Sequence, residues 1–151
     1  MRQPALDTIT VSQSADEAFQ AALGVAQNTK NHRILAVHND GRKLVFREKS
    51  KMSNPKFFQV WVEEKDGGAE LNIVAGADPR TPKAMLDSTM NKKALKKYME
   101  QVQAVLNGSQ SAPVTPVDNH YLAKKTEVPW ENADEDPQIE LDGNFLAMYG
   151  R

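Results

Sequence analysis

The chain has 151 residues, of which 40% are hydrophobic and 26% charged, a balance that supports one ordinary core and argues against wholesale disorder. Cysteine is absent, which excludes disulfides, thiolate metal sites and cysteine nucleophiles. The net charge of −1 hides an asymmetry: residues 108–151 carry three basic against eight acidic residues, a net −5, whereas the preceding part carries sixteen against twelve, a net +4.

No apolar run of the signal-peptide kind follows Met1-Arg2-Gln3-Pro4, and no segment approaches the ~20 consecutive apolar residues that span a bilayer. The expected location is cytoplasmic. In chain order, Ala5 to Val11 alternates, with Ile9 and Val11 on one face and Thr8 and Thr10 on the other, which predicts a first strand. Ser14-Ala15-Asp16-Glu17 is a capping box, in which the Ser14 hydroxyl accepts from the Glu17 N–H and the Glu17 carboxylate accepts from the Ser14 N–H. The helix it starts runs to about Gln27. Its stripe of Ala15, Ala18, Phe19, Ala22, Leu23 and Ala26 is small enough to lie close against a sheet.

Four antiparallel strands follow, separated by turn chemistry. They span about Arg33 to His38, Lys43 to Glu48, Lys56 to Glu64, and a last strand with Leu71, Ile73 and Ala75 facing inward. In the second of these Leu44 and Phe46 share a face. In the third, Phe58, Val60 and Val62 lie opposite Phe57, Gln59 and Trp61. Pro79 and Pro82 make Asp78 to Thr89 an irregular connection. From Asn91, the spacing of Leu95, Tyr98, Met99, Val102, Val105 and Leu106 predicts a second helix, which Gly108 ends. The expected fold class is α+β: a curved antiparallel five-stranded sheet with both helices on one face and the core between them. Residues 5–107 form the domain. Residues 108–151 form an acidic linker and tail, largely without a core of its own, that either solvates the protein, screens the basic domain or addresses a basic partner.

The order strand, helix, four strands, helix resembles small bacterial domains of unknown function, distantly similar to helix-grip (lipid-binding START and Bet v 1-like) and TATA-binding-protein-like folds. The resemblance spans roughly Leu6 to Leu106 and rests most on Ser14-Ala15-Asp16-Glu17-Ala18-Phe19 and on Asn91-Lys92-Lys93-Ala94-Leu95-Lys96-Lys97-Tyr98. Neither motif is catalytic, and the resemblance implies a fold rather than an activity.

Chemical motifs are sparse. His32 and His38 share a strand face by parity, near Asp40, but no further ligands complete a metal site, and His120 is isolated. Ser12, Ser14 and Ser50 lack a nucleophile elbow, and Asp66-Gly67-Gly68 is a turn rather than a phosphate cradle. No enzyme constellation, cofactor or metal site is expected. Three binding functions remain. The foremost is a non-enzymatic protein-interaction module, engaging a partner or a second copy through the sheet surface of Phe57 and Trp61, through the tail, or through both. The tail residues concerned are Tyr121, Leu122, Trp130, Phe145, Leu146, Met148 and Tyr149, and the tail itself is one candidate occupant of the sheet surface. The second function is a small apolar-ligand pocket among Phe46, Phe58, Val60 and Met99. The third is nucleic-acid or other anion binding by Lys83, Lys92, Lys93, Lys96 and Lys97, a run that usually forms a solvated helix face.

Overall fold

The alternating runs become strands β1 (Arg2–Val11), β2 (His32–His38), β3 (Lys43–Glu48), β4 (Lys56–Lys65) and β5 (Gly68–Ala77), and the two apolar stripes become helices α1 (Ala15–Asn28) and α2 (Asp87–Leu106). This computed structural model describes residues 1–142 and 144–146, with Asn144 and Phe145 described in their backbone alone. The strands pair antiparallel in the order β1-β5-β4-β3-β2, and α1 and α2 lie together on one face. Leu44, Phe46, Phe58, Val60 and Ile73 on that face close the core against Phe19 and Leu23 of α1 and against Leu95, Tyr98 and Val102 of α2. The Tyr98 hydroxyl, 1% exposed, ties the helices by donating to the Ala22 carbonyl at 2.7 Å, and burial raises its pKa above the usual phenol value.

Local differences from the predicted elements have local causes. Ser14 caps α1 by accepting from the Glu17 N–H at 3.1 Å, but the Glu17 carboxylate turns to the Ser14 hydroxyl at 3.2 Å instead of the backbone. Helix α2 begins at Asp87, one turn before Asn91. The Asp87 carboxylate accepts from the Ala84 N–H at 3.1 Å, from Asn54 at 3.0 Å and from Arg2 at 3.2 Å, which fixes that first turn to β1 and to the loop before β4. At the other end Gly108 takes φ +82°, the left-handed conformation that glycine supplies to a helix stop.

One bulge redirects a whole strand. The β2 register shifts between Ile34 and Ala36, so that Leu35 and Ala36 both face away from the helices. His32 and His38 therefore do not share a face. The His32 ring lies 4.6 Å from Phe46 in the core, with Nε2 2.9 Å from Glu48. His38 lies on the opposite face, edge-on to Trp130 at 5.3 Å. It accepts from the Gly41 N–H on Nδ1 and so donates from Nε2 to the Glu131 carbonyl.

The sheet has more than the five expected strands, because the C-terminal segment joins it. After α2 the chain runs back along α1, where Gln27 exchanges hydrogen bonds with the Thr115 backbone at 2.9 Å and Asn28 donates to the Pro113 carbonyl at 2.8 Å. The proline-rich linker thus buries surface: Ala112 and Val114 pack on the main core. Gly24 permits the approach, since a Cβ there would stand 2.1 Å from the Ala112 carbonyl oxygen. Strand β6 (His120–Ala123) then pairs with β2 and covers its edge. Strand β7 (Thr126–Pro129) forms a hairpin with β6, and the two-residue strands β8 (Glu140–Leu141) and β9 (Asn144–Phe145) extend the sheet further. Leu122, Trp130, Ile139 and Leu141 form a second apolar cluster with Leu35, Val45 and Phe57 on the outer face of the sheet.

Trp130 is 4% exposed at the centre of that cover. Trp130→Ala is expected to lower the unfolding free energy by about 3 kcal/mol, read from urea denaturation of the full chain. A loss below about 1 kcal/mol would mean that the outer cluster contributes little.

Candidate functional site

One row across the sheet forms the floor of the site. Arg33 of β2 stands directly opposite Arg47 of β3, Arg47 opposite Phe57 of β4, and Phe57 opposite Gly76 of β5. Like charges facing each other across paired strands repel, so the two arginines favour any anion that settles between them. Phe57 is 1% exposed and supplies an apolar base, over which the Arg80 guanidinium lies 5.7 Å from the ring centroid.

Arg80 is held from below by Asp78. This aspartate, at the foot of the irregular connection, is buried and accepts from the Arg80 backbone N–H and Nε at 2.9 Å and from its Nη2 at 2.5 Å. Burial alone would push the Asp78 carboxyl up. The Arg80 hydrogen bonds, with the charges of Arg80 and Arg47, outweigh burial and hold it below the usual carboxylate range. The same hydrogen bond raises the Arg80 pKa against its desolvation. Asp78 thus positions Arg80 without neutralising the row: Arg47 reaches it at 3.5 Å through one terminal nitrogen, and Arg47 Nε is buried with no hydrogen-bond partner among the described residues.

The C-terminal segment makes the opposite wall. The tight turn from β6 to β7 carries Lys124, at φ +63°, and Lys125. The turn from β8 to β9 carries Asp142, at φ +50°, whose carboxylate meets Arg80 Nη1 at 2.7 Å while its side chain is 87% exposed. Between floor and wall lies a cavity of about 340 Å³, lined by Arg33, Arg47, Arg80, Lys124 and Lys125, with Leu141 and Asp142 beside them. Its size is that of a small-ligand pocket. Lys124 approaches Glu140 at 3.9 Å, whereas Arg33 and Lys125 have no hydrogen-bond or ion-pair partner among the described residues. The arrangement suits an oxyanion, because guanidinium groups donate paired N–H bonds to phosphate or carboxylate and the lysines add movable point charges.

The residues singled out in the sequence lie elsewhere or play other parts. Phe46 and Phe58 stack in the main core at 4.7 Å, fully buried, with Val60 and Met99 in the same cluster. Phe57, Leu122 and Trp130 are buried together in the outer cluster, with Tyr121 and Leu146 packed against it, so the sheet surface and the tail meet each other. Trp61 is half-buried beside Lys43, its cross-strand partner. The Phe145 side chain, Met148 and Tyr149 lie outside the described residues. Lys83, Lys92, Lys93, Lys96 and Lys97 are exposed and do not line the arginine cavity; Lys97 borders a separate depression of about 220 Å³ with Lys30, Lys49 and Glu48. Arg33, Arg47 and Arg80 went unmarked in the sequence. The outward position of Arg47 was readable from the inward Leu44 and Phe46, but nothing in the sequence marked the bulge that turns Arg33 to the same side.

No protein-family model matches the chain, and no curated protein matches it. Among solved structures, the crystal structure of Ara h 8.0201 superposes with a TM-score of 0.52 at 10% identity, covering 70% of this chain and 97% of that one. The Zhui aromatase/cyclase from Streptomyces sp. R1128 gives a TM-score of 0.48 at 12% identity, covering 70% and 92% of the two chains. The fold is helix-grip, the Bet v 1-like arrangement that the element order resembles. Among the described residues no helix is long and apolar enough to cross a membrane.

The depressed Asp78 pKa fixes the sign of a pH effect. Its stabilising contribution is fully present above an unfolded carboxyl value of about 4 and is lost as pH falls through the lower folded value. Asp78→Asn should therefore lower stability at neutral pH, by about 2 kcal/mol from the lost charge-assisted hydrogen bonds, and the gap to the natural protein should close below about pH 4. Denaturation at a series of pH values reads both.

Proposed function

We propose that the chain is a non-enzymatic binding module for a small organic anion, held between the outer face of the sheet and the C-terminal segment. The observation that carries this reading is the pair Arg33 and Arg47, set directly opposite each other and both lining the cavity. Two facing guanidinium groups raise the energy of the empty protein, and an oxyanion relieves it. Five cationic side chains around about 340 Å³ supply both the charge and the room.

The same geometry bears on the functions expected from the sequence. The sheet surface and the aromatic-acidic tail, expected to engage a protein partner, engage each other, which moves the binding surface to the cavity that they enclose. The apolar-ligand alternative has the helix-grip fold in its favour, but Phe46, Phe58 and Tyr98 fill the space under α2 with ring contacts of 4.7 to 5.5 Å. The lysine run on α2 has the exposure of a solvated helix face.

Inorganic phosphate is the simplest probe. At about ten times its dissociation constant it should raise the melting temperature of the full chain by roughly 3 °C, with a shift that shrinks as sodium chloride is added. Arg47→Gln should remove the shift. No phosphate-dependent shift at tens of millimolar, at matched ionic strength, would overturn the reading.

A further inference from the structure

Within the arginine cavity Lys124 lies near Glu140, and the other four cations fall into two sets. Arg80 is rigidly placed by Asp78 and turns its remaining terminal nitrogen, Nη1, to Asp142. The Asp78 end of this arrangement is built in, being 1% exposed and bound through both oxygens. The Asp142 end is not: the carboxylate sits at the tip of a turn between two-residue strands and is 87% exposed. A side chain so exposed gains little from an ion pair, since water and salt screen it, and it yields its place to a better-charged group at small cost. The second set is Arg33, the guanidinium of Arg47, and Lys125. These belong to β2, β3 and the turn after β6, and Arg33 and Lys125 have no hydrogen-bond or ion-pair partner among the described residues.

Five cationic groups thus meet three carboxylates, Asp78, Asp142 and Glu140, and the surplus lies on the β2–β3 side rather than at Arg80. A single phosphate or carboxylate on either set leaves the other set uncompensated and most of the 340 Å³ unfilled. We infer that the ligand is an organic molecule carrying two anionic groups, one replacing the Asp142 carboxylate on Arg80 and the other lying between Arg33, Arg47 and Lys125. The inference rests on the anion-binding reading above and adds the number of anionic groups and the seat of the first. Asp142 then acts as a resident carboxylate that keeps the Arg80 seat closed to weak monoanions and gives way to a ligand that gains from both seats at once. Leu141 lines the cavity among these cations, which suits a carbon skeleton there rather than a third charge.

The test is calorimetric titration of the full chain with inorganic phosphate, a hexose monophosphate and a hexose bisphosphate, at fixed ionic strength. A second charge-assisted contact should make the bisphosphate bind about tenfold or more tightly than the monophosphate. Asp142→Asn should tighten the binding of both sugar phosphates severalfold, since it removes the competing charge. The double substitution Arg33→Gln with Lys125→Gln, at two exposed positions where folding is not at stake, should bring the ratio of the two affinities close to one. Equal binding of monophosphate and bisphosphate by the natural chain overturns the two-group inference and leaves the anion site standing. Unchanged affinity in Asp142→Asn overturns the assignment of the Arg80 seat. Absence of binding by all three probes overturns the site itself.

Discussion

A single extra residue in β2 decides what this protein presents on each side of its sheet. Strict alternation outward from Val37, which faces the helices, would turn Leu35 and Arg33 inward and leave Ile34 outside. The bulge between Ile34 and Ala36 reverses that half of the strand. Ile34 and His32 then join the main core, while Leu35 goes to the outer cluster and Arg33 comes to rest opposite Arg47. Without the reversal a guanidinium would point at the rings of Phe46 and Phe58, where an unpaired buried charge costs several kcal/mol or more. The bulge therefore protects the core and creates the cationic row in one step.

The C-terminal segment depends on the same outer face. A sheet with helices on one side leaves its other side to water or to a partner. Here Leu35, Val45 and Phe57 make that side too apolar to stand bare, and Leu122, Trp130, Ile139 and Leu141 cover it. The cover is partial. It ends at Arg33 and Arg47, and the turns that close it bring Lys124, Lys125 and Asp142 to the rim of the opening. Burial of apolar surface and assembly of a charged cavity thus come from one docking event.

Much of the fold was legible in the residues, because alternation, turn glycines and helix stripes act locally. Strands β3 and β4 follow directly from Leu44 and Phe46 and from Phe58, Val60 and Val62, and α2 follows from Leu95, Tyr98, Met99 and Val102. The bulge was not legible: Ile34-Leu35-Ala36-Val37 is an unbroken apolar run that carries no mark of which residue is the extra one. The cavity was illegible for a related reason. Its arginines and lysines sit on four separate segments, each an ordinary charge or charge pair in sequence, whereas the compact run from Lys92 to Lys97 draws the eye and remains on the exposed face of α2. The destination of Tyr121, Leu122 and Trp130 was not legible either, because it is a sheet face that only tertiary structure reveals.

The run of residues 109–119 along α1, pinned by Gln27 and Asn28 and admitted by Gly24, has a consequence for the order in which the molecule assembles. Strand β6 reaches β2 across more than eighty residues of intervening chain, and neither the groove along α1 nor the outer face exists until the body of five strands and two helices has formed. Contacts so distant in sequence close late, and elements held by few of them open first. Amide exchange in β6 to β9 should run well ahead of that in β3 and β4, and a newly made chain emerging in N- to C-terminal order completes its cavity as the last act of folding.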